Sequence, residues 1–146
     1  MRPKIAIINS GISNLRSIEK ALQQVGAETV VTDNHTVISQ AEGIIFPGVG
    51  AFEQAMQVLE EKGLPILLKD LVARGKPLLG ICLGLQLLFT TSEERKQVNT
   101  PLAHGLDLLP GQVKRFPLGL PVPHVGWNQI ELQRNHPLFS GLPSGS

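Results

Sequence analysis

Four short runs, "KIAIIN", "AETVVT", "EGIIF" and "KPLLGI", are rich in β-branched or other aliphatic residues, and in their centres the apolar side chains follow one another without a polar partner between them. A strand with one wet face alternates apolar and polar residues, whereas continuous runs fit strands buried on both sides, the condition of a parallel sheet. The stretches between them support this. From Leu15 the residues Leu15, Ile18, Leu22 and Val25 recur at helical spacing, with Ser13 or Asn14 available as a cap and Gly26 as a stop. Further helices are predicted from about residue 51 to 61 and from 65 to 73, broken by Gly63 and Gly75, and a polar connection is expected between the second and third strands. After the fourth strand, "LGLQLLFTTSEER" reads as one helix. Strands alternating with helices define a doubly wound α/β fold. Beyond residue 101 the chain turns rich in proline and glycine, with strand candidates at "GQVKRF" and "WNQIEL" and no convincing helix. This part is expected to extend the same domain, so that residues 1–146 form a single domain.

Composition narrows the function. With 13 basic and 12 acidic residues, the chain has no bulk field to hold nucleic acid or an anionic membrane, so neither is an expected partner. The N-terminal apolar run is far too short for a signal sequence or a spanning helix. A single cysteine cannot form an internal disulfide, which fits a reducing compartment and makes the cytoplasm the expected location.

That cysteine lies in "LLGICLGLQLL", with Gly80 and Gly84 two residues to either side of Cys82. G-x-C-x-G at a strand-to-helix junction is the thiol counterpart of the G-x-S-x-G nucleophile elbow. The sharp bend lifts the central side chain above the sheet and crowds its neighbours, where a Cβ would strike the adjacent strand or helix. A helix N-terminus beside the sulfur favours the thiolate, and the N–H of Leu83 points to where an oxyanion would form. The competing reading is a small cysteine sealed at a strand end. A second strand-turn-helix stretch, "GIIFPGVGAFEQAM", carries Gly48 and Gly50. It lacks the G-x-G-x-x-G spacing of a dinucleotide loop and the G-K-[ST] of a Walker loop, so completing an anion hole at the cysteine is the better role for it.

Taken in order, "NLRSIEKAL", "FPGVGAFEQAM", "GICLGLQLLF", "GLDLLPGQVKRF" and "PHVGWNQI" resemble the glutaminase subunits of imidazole glycerol phosphate synthase, class I (triad) glutamine amidotransferases. The resemblance covers nearly the whole chain. It implies a flavodoxin-like class I glutaminase sheet with helices on both faces, lacking its C-terminal strands and triad segment. It also implies that Cys82 attacks the glutamine side-chain amide, that Val49 and Leu83 supply backbone oxyanion donors, and that Gly48, Gly50 and Gln86 line the glutamine site. The implied partner is a (β/α)8 synthase (cyclase) subunit that forms a heterodimer with this chain and receives ammonia through a tunnel, away from the water that would protonate it. Asn14, His124, Trp127 and Asn128 match positions facing that partner. No metal or other cofactor is implied.

Two departures from the family pattern stand out. Near the N-terminus "NSGISN" replaces an aspartate-aromatic-G-x-G-N pattern, so Asn9, Ser10 and Ser13 differ while Gly11 and Asn14 match. The family's His-x-Glu pair is also absent: none of His35, His104, His124 and His136 is followed two positions later by glutamate. Surface or structural roles are expected for all four, and a chain without that pair is expected to turn over poorly. Two alternatives stay open on the sequence: another cysteine hydrolase of the same broad fold, and a non-catalytic scaffold docking on the synthase.

Overall fold

The computed structural model describes residues 2–9, 11, 14–95, 99–120, 122, 126–143 and 145. The chain divides into two compact units, Met1–Arg115 and Phe116–Ser146.

In the first unit, β1 (Lys4–Ile8), β2 (Glu28–Thr32), β3 (Gly43–Gly48) and β4 (Leu78–Cys82) form a parallel sheet in the order β2-β1-β3-β4. The four apolar runs therefore became the four strands. Helix α1 (Leu15–Gln24) joins β1 to β2, α2 (His35–Gln40) joins β2 to β3, and α3 (Phe52–Glu61) and α4 (Leu64–Ala73) join β3 to β4. The first crossover runs toward one edge of the sheet and the later ones toward the other. Right-handed crossovers of opposite direction place α1 on one face and α2, α3 and α4 on the other.

Side chains alternate between the two faces. Ala6, Ile8, Ile44 and Phe46 are buried in the main core with Ile38 of α2, Phe52, Met56 and Leu59 of α3, and Leu64, Leu68 and Leu71 of α4. The opposite face is thinly covered. Helix α1 has no fully buried residue, and on β4 at the end of the sheet Leu79 and Ile81 are 46% and 38% exposed.

Three sequence expectations need correction. The connection between β2 and β3 is not merely polar: it holds α2, started by Asn34, whose side-chain oxygen accepts from the N–H groups of Thr36 and Val37 at 3.0 and 3.2 Å. The helix after Cys82 is a single turn, α5 (Leu83–Gln86), and Phe89–Ser92 turns back as strand β5 between β6 (Ala103–His104) and β7 (Leu109–Val113). Long-range pairing overrides the local helical pattern there: Leu106 and Leu108 donate to the carbonyls of Leu87 and Leu88 at 2.7 and 2.8 Å. "GQVKRF" contributes the end of β7, whereas "WNQIEL" is not a strand. The second unit has one regular element among its described residues, a 3-10 turn at Pro137–Phe139.

Candidate active site

Cys82 ends β4 and immediately precedes α5, with φ 57° and ψ −121°. A side-chain-bearing residue adopts such a backbone only when its surroundings enforce it, at a cost of roughly 1–3 kcal/mol. The glycines on either side show what enforces it. A Cβ on Gly84 would lie 1.8 Å from the carbonyl oxygen of Phe46 in β3, and one on Gly80 would lie 2.6 Å from Cα of Leu85 in α5. Strand and helix thus approach at backbone contact, and the bend lifts the cysteine clear. Cys82 is exposed, so the sealed-sulfur reading does not describe this thiol.

The glycine turn after β3 lies beside this bend. Gly48 and Cys82 are register partners at the C-terminal ends of adjacent parallel strands. A Cβ on Gly48 would come within 2.8 Å of the Gly84 nitrogen and 3.0 Å of the Leu83 Cβ. The segment carrying Val49 and the segment carrying Leu83 therefore leave the sheet side by side, at the edge where open α/β sheets bind ligands. Val49 is 43% exposed, Gly50 takes φ +105°, Leu83 is buried, and Gln86, partly buried, closes the single turn of α5.

Two cavities flank the turn. One of about 130 Å³ is walled by Gly11, Gly48, Val49, Gly50, Leu83 and Leu87 among others. The other, about 490 Å³, opens beside Ala51 and is lined by Glu53, Gln54, Gln57, Glu94 and Arg95. Glu94 and Arg95 are hidden in the sequence because "SEER" falls within the single helix expected after Cys82. Their only signal was a pair of opposite charges directly after a short β-branched run. Arg95 is fixed by donating from Nη1 to the Thr100 carbonyl at 2.6 Å.

The remaining sequence-selected residues lie elsewhere. Asn14 is exposed just before α1, where its Oδ1 accepts from the Ser17 hydroxyl at 2.8 Å. Trp127 and Asn128 are exposed in the second unit, so the tryptophan is not a core aromatic. Ser10, Ser13 and His124 lie outside the described residues. Two histidines have structural bonds: His35 Nε2 meets the Lys62 carbonyl at 2.8 Å, and His136 Nδ1 accepts from the Leu138 N–H at 3.1 Å. His104 is exposed in β6. Among the described residues, no group of histidine, cysteine, aspartate or glutamate is arranged to hold a metal, and no helix is long and apolar enough to cross a membrane.

A flavodoxin-type strand order with an exposed cysteine at a glycine-flanked bend defines a doubly wound α/β protein of the nucleophile-elbow architecture. Comparison with known proteins agrees on the fold: a glutamine amidotransferase of known crystal structure superposes with a TM-score of 0.65 at 22% identity, over 81% of this chain and 59% of that one. The Glutamine amidotransferase class-I family matches residues 6–144, and the chain belongs to that family. It is 55% identical over its full length to the imidazole glycerol phosphate synthase subunit HisH of Moorella thermoacetica and 50% identical over 142 residues to that of Bacillus cereus strain B4264. The chain spans about two thirds of the length of these relatives, 67% and 66% respectively.

Proposed function

We propose that this chain carries the nucleophile half of a glutaminase site that supplies ammonia to a synthase subunit making imidazole glycerol phosphate in histidine biosynthesis. The observation that carries the reading is the register pairing of Gly48 with Cys82, which sets a glycine turn against an exposed, strained cysteine. The sulfur attacks the side-chain amide carbon of glutamine, and the resulting oxyanion is met by the backbone N–H groups of Val49 and Leu83. Collapse expels ammonia and leaves a γ-glutamyl thioester, which water cleaves to glutamate. Gly48, Gly50 and Gln86 border the amide end. The cavity beside Ala51 suits the zwitterionic end, with Glu94 for the ammonium and Arg95 for the carboxylate.

The general base is a histidine from a His-x-Glu pair, which these 146 residues do not contain. On the sequence resemblance, Asn14, His124, Trp127 and Asn128 are assigned to contacts with the (β/α)8 partner, which takes the ammonia without release to water. A wholly exposed tryptophan supports this role, since large aromatic side chains are the usual anchors of protein interfaces.

The test is glutamate release from glutamine by the complete protein, with and without the synthase subunit. Release that rises with the partner and vanishes in Cys82→Ala is expected. Release that survives Cys82→Ala refutes the assignment.

A further inference from the structure

Lys62 follows α3 directly, and its side chain reaches back across the C-terminal edge of the sheet. Its Nζ donates to the backbone carbonyl of Asn9 at 3.0 Å and to Oδ2 of Asp33 at 2.9 Å. Those acceptors lie just beyond the ends of the adjacent strands β1 and β2. The lysine's own carbonyl accepts from His35 Nε2 at 2.8 Å, and the His35 ring lies 3.4 Å from where a Gly63 Cβ would stand. The junction between α3 and α4 is thus held from both sides.

A partly exposed lysine–carboxylate pair adds little stability by itself. The bond to Asn9 has a different consequence. Asn9 Oδ1 accepts from the Gly11 N–H at 3.1 Å, and Gly11 walls the same small cavity as Gly48, Val49 and Gly50. Helix α3, which begins at Phe52 two residues after Gly50, spans about 15 Å as a stiff rod from the glycine turn to Lys62. Lysine, rod, turn, Gly11 and Asn9 close a ring. We infer that Lys62 is a positioning residue that sets Asn9, and through it Gly11, as one wall of the oxyanion turn. Its ammonium is bonded to Asn9 and Asp33, and its effect passes through Asn9 and Gly11. The inference rests on the glutaminase reading above.

The test uses the complete protein with its synthase subunit and measures glutamine hydrolysis. Displacing a turn that holds the transition state lowers rate more than substrate binding. Lys62→Met is expected to lower kcat about tenfold, within the range for residues that act without touching ligand, while KM stays within about twofold. Lys62→Arg, which keeps a cation and several donors at that reach, is expected to restore kcat to within about twofold of wild type. Asp33→Asn leaves the Asn9 contact in place and is expected to behave like wild type. An unchanged kcat in Lys62→Met, with only its melting temperature lowered, overturns the inference. So does a loss in Asp33→Asn equal to that in Lys62→Met, which places the effect in the ion pair. A wild-type complex inert toward glutamine overturns the glutaminase reading, and this inference with it.

Discussion

Replacing Gly84 by alanine tests the glycine with the least room for a Cβ. The added methyl carbon would lie 1.8 Å from the Phe46 carbonyl oxygen and 2.7 Å from the carbon bearing it. The shortest usual C···O approach is about 3.3 Å, so β3 and α5 must separate by about 1.5 Å. Neither side yields easily, because Phe46 is fully buried and its strand is paired on both edges, to β1 and to β4. Overpacking a rigid site costs roughly 1–3 kcal/mol, and contact with backbone instead of a flexible side chain places this case at the top of that range or above it. About 3 kcal/mol corresponds to a fall of roughly 10 °C in melting temperature for a domain of this size. The comparison variant is Gly26→Ala, where a Cβ meets nothing within 4 Å and only φ +86° opposes it, a penalty of roughly 1–2 kcal/mol. Thermal and urea unfolding followed by circular dichroism measure both. Gly84→Ala no less stable than Gly26→Ala would refute the argument that the elbow glycines are required by backbone contact.

Other expectations follow from the same structure. The Lys62 ammonium bonded to Asp33 holds that carboxyl below its usual value of 3.8. A depressed acid contributes stability above the unfolded value and loses it as pH falls through the folded one, so the unfolding-midpoint difference between wild type and Asp33→Asn should be present at pH 6 and vanish in acid below 3.8. Leu79 and Ile81 present apolar surface on the terminal strand β4, so Ile81→Lys should reduce concentration-dependent association of the 146-residue chain in light scattering. No change on dilution or substitution would show that this face does not drive association. If Trp127 anchors the synthase partner, Trp127→Ala should weaken heterodimer formation by about 2 kcal/mol or more in titration calorimetry, roughly thirtyfold in affinity.

The parallel sheet was legible because its central strands β1 and β3 are buried, which removes the polar alternation and leaves "KIAII" and "GIIF" as plain apolar runs. The elbow was legible because its geometry demands glycine at both flanking positions, a demand written directly into residues 80–84. Helix α2 was not, since Thr36, Val37 and Ile38 are β-branched, and its one clear signal was the cap at Asn34. The overlong helix after Cys82 failed for a non-local reason: Leu83, Leu87 and Leu88 have helical spacing, but the carbonyls of Leu87 and Leu88 are taken by Leu106 and Leu108, some twenty residues on. The charged cavity beside Ala51 was equally hidden, because it joins α3 to the segment after β5 and no local pattern records that meeting.

The central claim is that Cys82 becomes covalently attached to the glutamyl group. Acid quenching of the complete protein and its synthase partner during turnover of glutamine, followed by peptide mass spectrometry, measures this directly. The account predicts a mass increase of one glutamyl group on the peptide carrying Cys82, labile to hydroxylamine and missing in Cys82→Ala. Turnover without that adduct under conditions that trap thioesters, or an adduct on another residue, would contradict it.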